Sequence, residues 1–165
     1  MDNATGVAFM LEVARVLALA PNRPKRSVLL YATTAEEHGL IGSSYFVNNP
    51  TVPLGNIVAN INVDAPRMFF PFDEVTVFGA EHVTLKSSIR EAVESMGYTL
   101  DEAIRCEMGA SDPREASPAH TADDLAVPFD YEIGAEFTGV IRTIVRRIGD
   151  AENRPRWIEG DPLSR

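Results

Sequence analysis

The stretch YATTAEEHGLIG, Tyr31–Gly42, decides the fold, because an apolar run stops there at two adjacent acids, Glu36 and Glu37. The preceding run Ser27–Tyr31 has the length and the β-favouring residues of a buried strand, and glycines after the acids mark a turn into a helix. In open α/β sheets, ligands bind at the carboxyl ends of the strands, towards which helix N-termini point. The stretch therefore predicts two carboxylates at a ligand-binding edge.

Two interpretations of this acidic pair are open. One carboxylate could bind a metal ion while its neighbour accepts a proton from metal-activated water. Alternatively, both acids favour the N-terminus of the following helix by charge–dipole attraction and have no further role. Taken alone, the pair favours the second interpretation, because short motifs often arise by chance.

Composition limits the classes of partner. The chain has 165 residues, 45% of them hydrophobic, which is enough for the core of one domain. Its net charge of −9 repels phosphate backbones and anionic membrane surfaces, so neither nucleic acid nor membrane is an expected partner. Cys106 is the only cysteine, which excludes an internal disulfide and a thiolate zinc site. Met1 is followed by Asp2 and Asn3 and not by a basic and hydrophobic leader, so we expect no export signal and leave the compartment open.

Hydrophobic periodicity predicts an alternation of helices and strands, and thus an α/β fold. The expected helices are Thr5–Ala20, buried on most sides and capped by Asn3 or Thr5, then Gly39–Asn48, Thr84–Met96, and a long helix that begins after Asp130 and closes at Gly149. The expected strands are Ser27–Tyr31, Ile57–Val63 and, more weakly, Val75–Phe78. We assign residues 1–150 to a single domain and 151–165 to a C-terminal tail along the surface.

The residues with metal-binding chemistry stand at the ends of these elements. They are Asp2 before the first helix, Glu36 and Glu37, Asp64 after the second strand, and His120 in a long aperiodic loop before the last helix. Carboxylates together with an imidazole form a set compatible with zinc. Taken singly, Asp64 is equally suited to capping a turn, and His120 to a polar surface loop.

Four blocks of the sequence resemble the M28 family of zinc aminopeptidases. They are DNATGVAFMLEVARVLA (Asp2–Ala18), ATTAEEHGLIGSSYFV (Ala32–Val47), NINVD (Asn60–Asp64) and HTADDL (His120–Leu125). The order and spacing of the first three blocks make the resemblance specific. It implies a zinc-exopeptidase-like α/β fold, here incomplete, with a mixed, mostly parallel central sheet flanked by helices.

The resemblance also implies a role for each candidate residue. Asp2 would bridge two zinc ions, Glu36 would be the general base, Glu37 and His120 would bind one zinc, and Asp64 would bind the other. The implied substrate is a peptide with a free N-terminus. His38 and His82 match no ligand position, so we interpret them as surface or capping residues.

The chain departs from the family pattern in two places. The family has a further histidine ligand in a His-x-Asp motif upstream of the position of Asp2, and no histidine here stands two residues before an aspartate. We therefore expect at most one well-held zinc. The segment between Glu107 and His120 is also shorter than in the family. We expect unpaired sheet edges, an uncovered apolar face on the first helix, and self-association through them.

Three functions compete on these grounds. The first is zinc-dependent aminopeptidase activity, impaired by truncation. The second is a catalytically inactive, peptidase-like fragment or binding module. The third is a glutaminyl cyclase-like acyltransferase, which uses a single zinc bound by Asp, Glu and His ligands.

Overall fold

A computed structural model describes residues 3–64, 71–101 and 129–164. Its α-helices are α1 (Ala4–Leu19), α2 (Ile41–Asn48), α3 (Lys86–Glu94) and α4 (Tyr131–Asp150). Its strands are β1 (Glu74–Thr76) and β2 (Thr99–Asp101), and short 3-10 turns lie at Leu54–Asn56 and Ala80–His82. The four predicted helices are confirmed, with ends that differ from the predicted ones by a few residues.

The two strands pair in parallel, with Val75 opposite Leu100. Parallel strands need a crossover connection, and α3 lies between β1 and β2 in the chain. The result is a small parallel sheet flanked by helices, which confirms the predicted α/β class.

The core forms as two clusters along one broad apolar face of α4. In one cluster, Val140, Ile144 and Ile148 pack with the buried residues of α3, namely Ile89, Ala92 and Val93. In the other cluster, Ile133 and Ile141 pack with Phe9, Val13 and Leu17 of α1. This face follows the three-to-four spacing of apolar residues along α4, as the sequence predicts. Helix α4 therefore joins the α1 and α3 halves of the molecule.

Both ends of α4 are anchored by side chains. At its start, Asp130 Oδ1 accepts hydrogen bonds from the backbone N–H groups of Glu132 (2.9 Å) and Ile133 (3.1 Å), which confirms the predicted cap. At its end, the Arg26 guanidinium donates to the carbonyls of Ile148 (3.1 Å) and Ala151. These bonds satisfy carbonyl groups that the helix leaves open, and they fix the chain that follows α1.

Two predicted strands do not form. Ser27–Tyr31 and Ile57–Val63 are irregular, and within the described residues neither has the ladder of hydrogen bonds that defines a strand. The apolar side chains of Val28, Leu29 and Leu30 are exposed. The prediction was wrong because an apolar run indicates only a preference for burial, whereas a buried strand needs a neighbour that covers its side chains and pairs with its backbone. Strand β2, which the sequence analysis did not predict, is only three residues long.

Helix α1 is capped by Asn3, as predicted, but is less buried than its composition indicates. Gly6, Phe9, Val13 and Leu17 are its buried residues, and they share one face. Val7, Leu11 and Leu19, by contrast, are exposed. The expectation of burial on most sides was wrong, and the expectation of an uncovered apolar face is confirmed.

The C-terminal segment lies against the turn that precedes α3. Trp157 forms an isolated antiparallel bridge with Val83, and the backbone N–H of Ile158 donates to the carbonyl of His82 (2.9 Å). His82 Nδ1 lies 2.7 Å from Asp161 Oδ2. His82 thus holds the tail in place. The division into a domain and a tail stays a prediction. None of the helices in the described ranges is long and apolar enough to cross a membrane.

We predict that attachment of the tail depends on pH. The hydrogen bond with the Asp161 carboxylate, reinforced by the charges of Asp161 and Glu81 and only partly offset by desolvation, raises the pKa of His82 above its ordinary 6.5. The same bond, with one from the backbone of Leu163, lowers the pKa of Asp161 below 3.8. Stabilisation by His82 is complete below pH 6.5 and disappears as pH rises through its raised pKa. Stabilisation by Asp161 is present above pH 3.8 and disappears as pH falls through its lowered pKa.

Trp157, the only tryptophan, reports on this attachment. Its fluorescence should change with a midpoint above pH 6.5 in the wild-type chain. His82→Gln should remove that transition, whereas His38→Gln, at an exposed site, should keep it. A transition that persists unchanged in His82→Gln would show that the pair does not control the tail.

Self-association stays a prediction, and the exposed apolar side chains give it a test. Light scattering should show a mass that rises with concentration, because Val28, Leu29 and Leu30 expose a continuous apolar segment. Leu29→Lys should reduce association, and Leu163→Lys, at an exposed site in the tail, serves as the control. A monodisperse monomer that melts cooperatively would contradict the prediction.

Candidate functional site

The two adjacent acids lie in a compact turn built by backbone hydrogen bonds. The N–H groups of Gly39 and Leu40 both donate to the carbonyl of Glu36, at 3.0 and 2.9 Å. Outside this pair, Ile41 N–H donates to the Ala35 carbonyl at 3.2 Å. These nested bonds close the loop between residues 34 and 42, which we call the acidic loop. Its shape therefore follows from local sequence.

The acidic loop carries backbone strain on both sides of the acids. Ala35 has φ of +53° and Leu40 has φ of +58°, in the left-handed region that side chains other than glycine rarely adopt. Each such residue costs about 1–3 kcal/mol unless its surroundings hold it, and such strain clusters at functional sites. The strained positions favour a functional role for the residues between them.

An aromatic residue and a glycine hold the acidic loop closed. The Tyr31 hydroxyl donates to the Gly42 carbonyl at 2.9 Å, and the Tyr31 ring lies 4.4 Å, between centroids, from that of Phe46 in α2. A Cβ on Gly42 would lie 2.6 Å from both the N and the O of Thr34, so only glycine fits. The loop thus presents Glu36 and Glu37, both exposed, immediately before α2.

The position of the acids relative to α2 bears on the two interpretations. The N-cap of α2 is Leu40, whose side chain makes no capping bond, and the first turn of the helix contains no acid. A carboxylate that stabilises a helix is expected at the cap or in the first turn, where the dipole effect acts. Glu36 and Glu37 stand ahead of both positions.

The second acidic position is tied to the start of α1. Asp64 is exposed and follows Val63, which packs against the α1–α4 core. The Val63 carbonyl accepts a 2.9 Å hydrogen bond from Asn3 Nδ2. Because Asn3 follows Asp2 in the chain, the positions next to two predicted ligands, Asp2 and Asp64, lie together.

Sequence analysis missed this second role of Asn3. It offered Asn3 or Thr5 as the helix cap, and the structure shows Asn3 in that role, since Asn3 Oδ1 accepts from Gly6 N–H at 3.0 Å. The available signal was the Asn-x-x-Gly spacing. A Cβ on Gly6 would lie 2.3 Å from the Val63 carbonyl oxygen, so glycine allows the two segments to approach.

The structure describes only some of the predicted zinc ligands. Asp2 and His120 lie outside the described residues. Within residues 3–64, 71–101 and 129–164, no group of three or more His, Cys, Asp or Glu side chains is arranged to hold a metal ion. Hence Glu36, Glu37 and Asp64 alone do not form a metal cluster. By donor type, exposed carboxylates together with an imidazole fit zinc.

Comparison with known proteins supports the resemblance. The sequence pattern of peptidase family M28 matches residues 1–123. A probable zinc metalloprotease from Pyrenophora tritici-repentis is 38% identical over 63 residues, which are 38% of this chain and 13% of that protein. Aminopeptidase NAALADL1 from Mus musculus is 32% identical over 109 residues, 63% of this chain and 13% of that protein. A probable glutamate carboxypeptidase AMP1 from Arabidopsis thaliana is 37% identical over 68 residues, 39% of this chain and 10% of that protein.

These relatives are much longer than the chain, which spans only a small part of their length. No solved protein structure matches the chain. The family pattern nevertheless covers most of the sequence, including the acidic loop, Asp64 and His120. The chain belongs to peptidase family M28.

Proposed function

We propose that the chain contributes to a zinc-dependent aminopeptidase, which hydrolyses the N-terminal bond of a peptide. The observation that carries the proposal is the acidic loop, a strained turn that presents two adjacent, exposed carboxylates ahead of the cap of α2. Membership of family M28 supports peptide-bond hydrolysis as the reaction class. A relative described as a zinc metalloprotease supports zinc as the metal, and one described as an aminopeptidase supports cleavage at the N-terminus of the substrate. A further relative is described as a glutamate carboxypeptidase, so the end of the peptide at which the chain acts needs its own test.

We assign Glu36 as the general base and Asp2, Glu37, Asp64 and His120 as zinc ligands. Zinc, when bound, lowers the pKa of water and polarises a carbonyl group. Glu36 accepts the proton of the attacking water and then delivers it to the leaving amine. The exposed position of Glu36 leaves its carboxylate open to a substrate that approaches from solvent. The closed acidic loop fixes its backbone, which reduces the reorganisation needed during proton transfer.

Replacement of the base tests this assignment. Glu36→Gln keeps the size of the side chain and removes its basicity, so kcat should fall about 10²- to 10⁴-fold with little change in KM. His38→Ala, next to the acids and exposed, is the matched control and should retain activity. Activity measured by release of a free amino acid from short peptides would be lost in the first variant only.

The products of this assay distinguish the alternatives. A peptide with N-terminal glutamine should release a free amino acid, whereas a glutaminyl cyclase would release ammonia. An inactive fragment would release neither. Activity that survives Glu36→Gln would show that the acidic loop is not the reaction centre.

We also propose that the chain holds one zinc ion well. Asp2, Glu37 and His120 supply three protein ligands and leave room for water, which is the composition of a catalytic zinc site. A second zinc would have Asp2 and Asp64 as its only assigned ligands.

Metal analysis after dialysis against trace zinc should therefore give about one ion per chain, because three-ligand catalytic sites retain zinc and two-ligand sites exchange it readily. Glu37→Gln should lower that content, whereas Asp64→Asn should leave it nearly unchanged. Two tightly held ions per chain would refute the single-site proposal.

A further inference from the structure

Tyr31 closes the acidic loop with a side chain that comes from outside it. The Tyr31 hydroxyl donates to the Gly42 carbonyl at 2.9 Å, across the whole of the loop. Its ring lies against that of Phe46 in α2, with 4.4 Å between the centroids, and this contact limits the positions that the hydroxyl can take. Tyr31 therefore joins the chain before the loop to the helix after it.

Gly42 accepts this bond and makes a second closing contact. Its N–H donates to the Thr34 carbonyl at 3.0 Å, while its own carbonyl accepts from Tyr31. A Cβ on Gly42 would lie 2.6 Å from both the N and the O of Thr34, closer than real side chains approach backbone atoms. Glycine thus allows the start of α2 to meet the chain before the acids. The two contacts bring the ends of the acidic loop together, as in a compact Ω-type loop.

The conformation of the acidic loop depends on contacts of this kind. Ala35, with φ of +53°, and Leu40, with φ of +58°, lie on either side of the acids in the left-handed region. Such strained backbone persists only where the surrounding structure holds it. The backbone hydrogen bonds within the loop lie inside the contact that Tyr31 closes. Without that contact, Ala35 could relax to an ordinary φ and turn the backbone that carries Glu36.

We propose that Tyr31 is a positioning residue, whose hydroxyl keeps the Glu36 carboxylate in the direction that proton transfer needs. The inference rests on the proposed function, since it takes Glu36 as the general base. It goes further by giving a role in the reaction to a side chain that acts through the backbone of the loop and touches no reacting atom. A shift of about 1 Å in a reacting group can lower a rate about 100-fold, so the effect should fall on kcat more than on KM.

Tyr31→Phe tests the hydroxyl by itself, because phenylalanine keeps the ring contact with Phe46 and removes only the donor. Tyr98→Phe is the matched control. The Tyr98 ring also stacks on a phenylalanine, Phe72, with 4.6 Å between the centroids, and its hydroxyl donates to Glu136 Oε2 at 3.1 Å. Tyr98 packs against the cluster between α3 and α4, so its hydroxyl has no part in closing the acidic loop.

Gly42→Ala is a second variant, which keeps the Tyr31 hydroxyl and opens the loop from the other side. The added Cβ meets the Thr34 backbone, so the ends of the loop must separate, although alanine favours a helix more than glycine does. Gly55→Ala is its control, because a Cβ there meets nothing within 4 Å in the described part of the chain. A loss seen in Gly42→Ala alone would therefore come from the contact with Thr34.

Two measurements separate closure of the loop from catalysis, and far-ultraviolet circular dichroism checks that each variant is folded. The first is amide hydrogen exchange of the zinc-free chain. In Tyr31→Phe and Gly42→Ala, the N–H groups of Gly39, Leu40 and Ile41 should exchange about 5-fold faster, the effect of losing one ordinary hydrogen bond. The second is hydrolysis of a short peptide, for which kcat should fall about 10- to 100-fold with KM nearly unchanged. Both controls should match the wild-type chain in both measurements.

Two results would overturn the inference while the proposed function stands. Wild-type exchange at these amides in both variants would show that the Tyr31 hydroxyl does not hold the loop closed. Faster exchange with wild-type kcat would show that closure of the loop does not position Glu36. A wild-type chain that hydrolyses no peptide would overturn the proposed function and the positioning role together, and the exchange measurement would then report only on the structure of the loop.

Discussion

The packing of α4 between α1 and α3 is the interaction on which the rest of the structure depends. Val140 is almost fully buried in it, and so is Val93 on the facing helix. Burial of each such side chain contributes about 1.5–3 kcal/mol, and cores of this kind tolerate little change in volume. Helix α4 contacts both helices, and Arg26 connects its end to the chain that follows α1.

The candidate site combines two kinds of structure. The acidic loop is local, since its backbone hydrogen bonds join residues fewer than ten positions apart. The hydrogen bond from Asn3 to the Val63 carbonyl is long-range, and it joins the start of the first helix to the segment before Asp64. A local turn fixes the direction of its own carboxylates, whereas a metal site needs donors from distant parts of the chain at fixed separations.

Both the apolar segment before the acidic loop and the carboxylates within it are exposed to solvent. Val28, Leu29 and Leu30 expose apolar surface beside the acidic loop, and Glu36 and Glu37 are open to solvent. Strain at Ala35 and Leu40 is tolerated because the nested hydrogen bonds hold both residues. In the function that we propose, the acidic loop is the base-bearing part of a peptidase site.

The sequence by itself determined the four helices, the Asp130 cap, the α/β class, the family and the position of the acids before α2, and it limited the cap of α1 to Asn3 or Thr5. Periodicity, capping residues and turn glycines encode these locally. Only the tertiary structure decided that Ser27–Tyr31 and Ile57–Val63 are not strands, that one face of α1 is uncovered, and that Asn3 also binds Val63. Each of these depends on which distant backbone groups meet, and an apolar run or a lone asparagine carries no information about its partner.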